Sequence, residues 1–138
     1  MKIYLAHSVF ERNRGKRIQK KLEDLGFEVI NPFDQEDPSV LKDPWNINDT
    51  LKAMEIVITD MLLIQDADLL VGIFGKRKTI GVSCEVLLAW ILSKPIYLLV
   101  SKELKGHPWL KTLSNDRIFT DEKDLLFLLS LEKLVEGK

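Results

Sequence analysis

The chain has 138 residues, 46% of them hydrophobic and 30% charged, with a net charge of -1. That is one domain's worth of globular chain, residues 1–138, long enough to bury a core without staples. The charge balance gives no strong field to recruit a nucleic-acid polymer or a membrane surface. One cysteine excludes an intrachain disulfide, and only two histidines accompany it, so no metal site is expected.

The opening MKIYLAHSVF carries too short an apolar run for a signal peptide. No apolar stretch reaches membrane-spanning length, so a cytoplasmic location is expected. KIYLA (Lys2–Ala6) reads as a buried first strand. RGKRIQKKLEDLGF (Arg14–Phe27) reads as a helix with Ile18, Leu22 and Leu25 on one face, Lys and Arg on the other, and Gly26 as its stop. FEVIN (Phe27–Asn31) is a second strand. The proline- and acid-rich stretch Pro32–Asn46 reads as a long loop, a length often used for lids or binding segments.

A long helix follows over Asn48–Ala67, with Asn48 or Asp49 as its N-cap. DLLVGIFG (Asp68–Gly75) is a third strand. The helix containing Glu85 comes next, then a fourth strand KPIYLLVS (Lys94–Ser101) and a loop or short helix over His107–Asp116. RIFT (Arg117–Thr120) is a short fifth strand, and Asp121–Glu136 forms a closing helix with Leu125, Leu128, Leu129 and Leu131 on its apolar face. No repeat or low-complexity tract interrupts the pattern.

Strands alternating with helices imply βαβ units and a parallel sheet covered on both faces. The expected architecture is a flavodoxin-like (Rossmann-like) three-layer α/β fold with five strands in the order 2-1-3-4-5. Ligands in such sheets bind beyond the carboxyl ends of the strands, at the switch point. Three segments converge there: His7–Arg14, Gly75–Ser83 and Ser101–Asn115.

Two carboxylates in apolar helices stand out. Glu85 follows Gly81 and Ser83 and precedes Val86–Leu92. With Ser83 as N-cap it is either simple helix-end chemistry or an ionised nucleophile held at the ligand-binding edge. Asp60 has Ile56, Val57, Leu63 and Ile64 as its neighbours one turn away. Desolvation there raises a carboxyl pKa, which suits a proton donor; the plainer reading is a buried hydrogen-bonded Asp. The apolar run Ile56–Ile64 suggests either a subunit contact or a central core helix. Asp68 reads as a turn or capping group.

The loop SVFERNRGKR (Ser8–Arg17) brings Arg12, Arg14, Lys16 and Arg17 to a helix start beside a hydroxyl and a glycine. Cationic forks and free N–H groups there suit a phosphate, although such charge runs are usually solvated faces. No Walker loop is present. His7 either lines the pocket or satisfies a backbone carbonyl. Cys84 is expected to be a buried helix residue rather than a nucleophile. Trp45 and Trp109 could stack on a base, with packing the plainer role.

Four segments in this order and spacing resemble the nucleoside 2-deoxyribosyltransferase superfamily, which includes the 2′-deoxynucleoside 5′-phosphate N-hydrolases. IYLAHSVF matches its first strand and loop, which implies that Tyr4 is its pocket tyrosine. TDMLLIQDADLLVGIF matches its aspartate-bearing helix and next strand, and places Asp60 on the catalytic aspartate. GVSCEVLLAW matches its Gly-x-x-x-Glu helix start, and places Glu85 on the nucleophile. LSND matches the late segment that reaches a neighbouring subunit's site, through Ser114 or Asn115. His7 stands where the family usually has glycine. Thr79 stands where transferases commonly carry aspartate and the hydrolases serine.

The resemblance implies catalysis by Glu85, Asp60 and Tyr4 and substrate contacts from His7, Ser8, Arg12, Arg14, Arg17, Thr79, Gly81, Ser83 and Ser114 or Asn115. It implies a homodimer or higher homo-oligomer, no cofactor and no metal. The implied reaction is cleavage of the N-glycosidic bond of 2′-deoxynucleosides, as 5′-monophosphates, through a glycosyl-Glu85 ester resolved by water. A base-exchanging transferase and a non-catalytic nucleotide sensor are the alternatives. A lysine-decarboxylase-like phosphoribohydrolase ranks lower, because GKRKTIGVSCE lacks the paired glycines of PGGxGTxxE.

Overall fold

The structure is a computed structural model that describes residues 1–35, 50–77 and 79–136. In chain order it runs β1 (Lys2–Ala6), a 3-10 turn (Val9–Glu11), α1 (Arg12–Asp24), β2 (Glu28–Ile30), a second 3-10 turn (Pro32–Gln35) and α2 (Thr50–Asp66). It continues with β3 (Leu69–Phe74), α3 (Ile80–Ile91), β4 (Ile96–Val100), a third 3-10 turn (Lys102–Leu104), α4 (Pro108–Leu113), β5 (Ile118–Phe119) and α5 (Glu122–Glu136). The five strands pair in parallel in the order β2-β1-β3-β4-β5. This is the expected flavodoxin-like arrangement.

β3 and β4 are apolar because neither face meets water: every residue of both strands is buried. Side chains alternate across the sheet. Tyr4, Ala6, Leu70, Leu98 and Val100 point to the side covered by Ile64 of α2, Val82 and Val86 of α3, and Leu110 of α4. Ile3, Leu5, Val71, Ile73, Tyr97 and Leu99 point to the side covered by Ile18 and Leu22 of α1 and Leu125 and Leu129 of α5. The alternation puts the ring of Tyr4 beneath α2 and α3. At the opposite, amino edge of the sheet, Asp68 accepts the Lys2 backbone N–H at 2.7 Å and so ties the start of β1 to the start of β3.

α1 begins two residues earlier than its periodicity predicts. Ser8 to Glu11 already coil, with the Glu11 N–H donating to the Ser8 carbonyl at 3.0 Å, and the helix grows from that turn. The predicted loop after β2 opens as the Pro32–Gln35 turn; the rest of it, with Trp45 and the candidate caps Asn48 and Asp49, lies outside the described residues. α2 is not a central core helix. Ile64 is its one buried residue, while Met54, Ile58 and Leu62 are exposed.

A buried polar cluster ties the carboxyl end of β1 to α1 and β2. His7 is 2% exposed. Its Nδ1–H donates to the Ser8 carbonyl at 2.9 Å, and its Nε2 lies 3.2 Å from Asn31 Oδ1. The ring stacks on Phe33 at 4.8 Å. Asn31 in turn accepts the Phe33 N–H and donates to Gln19. His7 is therefore the carbonyl-satisfying residue of the two sequence readings, not a cavity wall. Gly15 of α1 lies directly over it, and a Cβ there stands 2.6 Å from Nε2. Burial pushes the imidazole below its ordinary value of 6.5; its hydrogen bonds to Ser8 and Asn31 and the charges of Glu11 and Asp34 oppose the shift without reversing it.

Gly15→Ala is expected to destabilise the chain by about 1–3 kcal/mol through overpacking against a rigid ring, even though alanine favours a helix by about 1 kcal/mol. Urea unfolding checks this as a lower midpoint at unchanged slope. For His7, the unfolded chain takes up a proton near pH 6.5 that the folded chain declines. Stability is thus full above that pH and falls as the pH drops below it. Unfolding midpoints between pH 7.5 and 5 are expected to show this decline, and His7→Gln to flatten it.

Candidate active site

Tyr4 reaches from β1 to α3, where its hydroxyl donates to Glu85 Oε2. The sheet supplies a rigid base for this bond: Tyr4 is fully buried and its strand is paired on both sides. The other carboxylate oxygen, Oε1, lies beside Gly81, 3.8 Å from where a Cβ would stand. Glu85 is thus held from the sheet through Oε2, with Oε1 on the Gly81 side of the helix.

α3 starts at Ile80 with Thr79 before it, so Ser83 is inside the helix and does not cap it, and Glu85 is its sixth residue. This corrects the helix-end reading. The dipole acts within the first turn; the group that orients Glu85 is Tyr4, through a charge-assisted bond.

Between α2 and α3 lies a cavity of about 430 Å³ lined by Asp60 and Glu85. Val57 and Met61 of α2 and Ile80 and Leu88 of α3 supply its apolar walls. The volume is within the range of small-molecule sites. Asp60 is half-buried, and it meets Glu85 across this space from the facing helix. Two carboxylates converging on one mostly apolar cavity, one of them hydrogen-bonded from below, can supply an attacking oxygen and a proton-transfer group to a ligand between them.

A second cavity of about 530 Å³ lies on the other side of α3, against α4. Thr79 and Ser83 line this one, and Cys84 lines both. Cys84 is exposed rather than buried. It stands one turn after the exposed Ile80 and shares its outward face, a consequence of where α3 starts. Trp109 is likewise exposed and borders the second cavity. Lys76 and Arg77, in the loop between β3 and α3, line it too; the sequence placed that loop at the ligand edge without singling them out.

The basic loop divides. Ser8 Oγ is the one buried side-chain polar atom without a hydrogen-bond partner among the described residues, as befits a group kept for a ligand. Arg12 is exposed. Arg14 lies 4.0 Å from Glu11. Arg17 does not join the site: it pairs with Glu122 of α5 at 3.1 Å, on the other layer. Ser114 is also drawn away, buried with its hydroxyl donating to the Leu110 carbonyl at 2.7 Å. Asn115, at φ 51°, lies in a surface groove with Trp90, Lys94 and Arg117. Neither residue lines the Asp60–Glu85 cavity of its own chain. Among the described residues no group of three His, Cys, Asp or Glu is placed to hold a metal ion, and no helix is long and apolar enough to cross a membrane.

No family model and no curated protein sequence matches this chain. Solved structures do. A 2-deoxyribosyltransferase from Bacillus psychrosaccharolyticus is 26% identical, with a TM-score of 0.68 over 91% of this chain and 90% of its own. A CMP N-glycosidase, BcmB, from Clostridium botulinum is 20% identical, with a TM-score of 0.63 over 96% of this chain and 99% of its own, a likeness of fold. Both neighbours lie in the nucleoside 2-deoxyribosyltransferase-like superfamily, the family whose motifs the sequence resembles, and this chain shares their fold over nearly its whole length.

Proposed function

We propose that this chain cleaves the N-glycosidic bond of 2′-deoxynucleosides that carry a 5′-phosphate, with water as the acceptor. The neighbours support N-glycosidic cleavage or nucleoside transfer as the class of reaction. The observation that carries the residue roles is the Tyr4–Glu85 hydrogen bond at the floor of a cavity that Asp60 also lines.

Glu85 attacks C1′ of the sugar through a carboxylate oxygen. A C1′–O bond forms as the C1′–N bond breaks, and the base leaves with the bonding pair and a proton from Asp60. Water then attacks C1′ of the glycosyl ester, Asp60 takes its proton, and Glu85 departs as a carboxylate. This is the two-carboxylate retaining scheme of glycosidases applied to an N-glycoside. Tyr4 positions the nucleophile throughout. Thr79, in place of an acid, and the cations of the two loops support a 5′-phosphate. The similarity to a 2-deoxyribosyltransferase favours one second reading, in which a free base replaces water in the last step.

The exposed apolar face of α2, with Met54, Ile58 and Leu62, continues onto Ile80, Leu87 and Trp90 of α3. A surface of this kind favours association, and we infer a homodimer built on it. The Asp60–Glu85 cavity opens between these same two helices, so a partner on this face walls the substrate in.

The base-release assay uses the four deoxynucleosides and their 5′-monophosphates, each with and without a free acceptor base. Net release of base without acceptor is expected. Exchange with no net release establishes the transferase instead, and tight binding of intact nucleotide with no release establishes a sensor. Glu85→Ala is expected to abolish turnover with circular dichroism unchanged. Tyr4→Phe removes a hydrogen bond to a charged group worth about 1.5–3 kcal/mol, and kcat/KM is expected to fall roughly 10- to 100-fold. Light scattering is expected to give twice the chain mass, and Ile58→Asp with Leu62→Lys to return it to the monomer; an unchanged mass in the double variant excludes this face as the interface.

A further inference from the structure

The second cavity, between α3 and α4, takes no part in the bond-breaking steps above. It is as large as a small-molecule site, and its chemistry differs from the first. Lys76 and Arg77 line it from the β3–α3 loop, with the hydroxyls of Thr79 and Ser83 at the start of α3. Trp109 and His107 line it from the start of α4, with Phe74 and Leu110 among its apolar walls. Cations beside hydroxyls suit an anion. A tryptophan 64% exposed suits a planar group laid against it.

We propose that this cavity is a subsite for the substituent on the substrate's 5′ carbon, and that the substituent is an anionic phosphoryl link followed by a planar ring. The inference rests on the N-glycosidase reading for its direction. Asp60 faces the first cavity from α2, so a base receiving its proton lies on the α2 side. C1′ lies at Glu85. The remainder of the sugar then extends the other way, over the start of α3, where Cys84 borders both cavities and Thr79 and Ser83 face the second. A lone phosphate fills little of the space beyond them. Lys76 and Arg77 meet the phosphoryl link, and Trp109 meets the ring.

The cationic loop is fixed for this purpose from the β1 side. The Arg77 guanidinium lies 4.4 Å from the centre of the Phe10 ring, an arrangement that holds the fork while leaving its N–H edge available. At the loop's start, Glu11 packs so closely on Gly75 that a Cβ there stands 1.8 Å from Glu11 Oε1. Only a glycine admits that approach. The Glu11 charge is met by Arg14. The exposed Glu103 carboxyl is held below its usual range by its own backbone N–H and the Ser101 hydroxyl, with the charges of Lys76 and Lys102 adding to the shift.

The test compares kcat/KM for base release from a deoxynucleoside, its 5′-monophosphate, and a dinucleoside monophosphate with that nucleoside on its 3′ side. The dinucleotide is expected to exceed the monophosphate at least tenfold. Lys76→Ala with Arg77→Ala is expected to lower the ratio of monophosphate to uncharged substrate at least tenfold. Trp109→Ala is expected to lower the ratio of dinucleotide to monophosphate. A dinucleotide no better than the monophosphate, with ratios indifferent to these variants, overturns the subsite and leaves the N-glycosidase reading standing. If no substrate releases base, that reading fails by itself. Calorimetric titration of the Glu85→Gln chain with the dinucleotide then decides the subsite: affinity lost at least tenfold in the Lys76/Arg77 and Trp109 variants supports it, and equal affinity overturns it. A Trp109→Ala effect on chain mass alone assigns the tryptophan to a subunit contact and also overturns it.

Discussion

The hydrogen bond from the Tyr4 hydroxyl to Glu85 joins the two parts of the molecule on which everything else depends. One partner belongs to a strand paired on both sides and sealed from water; the other belongs to a helix that reaches the ligand edge of the sheet. A carboxylate on a long, rotatable side chain becomes a directed group because one of its oxygens is held from below by a rigid ring. The sheet thereby sets the aim of the site, in the way a preorganised scaffold does for catalytic groups generally.

The same layer organises the space around that bond. α2, α3 and α4 lie side by side on one face of the sheet, and each of the two furrows between them opens into a cavity. The first furrow is walled by hydrocarbon and holds the two carboxylates. The second carries the cations and hydroxyls of the β3–α3 loop and α3 start, and the rings of His107 and Trp109 from the start of α4. α3 is the partition, with Glu85 turned to one side, Thr79 and Ser83 to the other, and Cys84 at the boundary. The uncovered apolar strip of α2 and α3 lies beside the first furrow, on the two helices that wall it.

The opposite layer is structural. α1 and α5 bury Ile18, Leu22, Leu125 and Leu129 against the sheet and hold each other through Arg17, Lys21 and Glu122. His7, Asn31 and Phe33 lock the turn after β1 without entering either cavity, because Gly15 lets α1 descend onto the imidazole. That packing leaves Ser8, next in the chain, with a hydroxyl that nothing in the described protein satisfies.

Much of this was legible in the chain. Continuous apolar strands between amphipathic helices specified a buried parallel sheet, since period and connection length depend on local sequence alone; its order followed from the fold class expected of such βαβ units. The two carboxylates were visible because a charge in an apolar helix is costly unless something offsets it. What the sequence left open was set by distance. Ser83 looked like a cap and Arg17 like a phosphate ligand; the first fell inside the helix and the second was captured by a glutamate 105 residues away. No local pattern reports that Tyr4 and Glu85, 81 residues apart, would share a proton donor and acceptor. Nor does one report which furrow a residue faces, because a shift of one position in a helix start rotates each side chain by about 100°, and only the packed structure determines where that start falls.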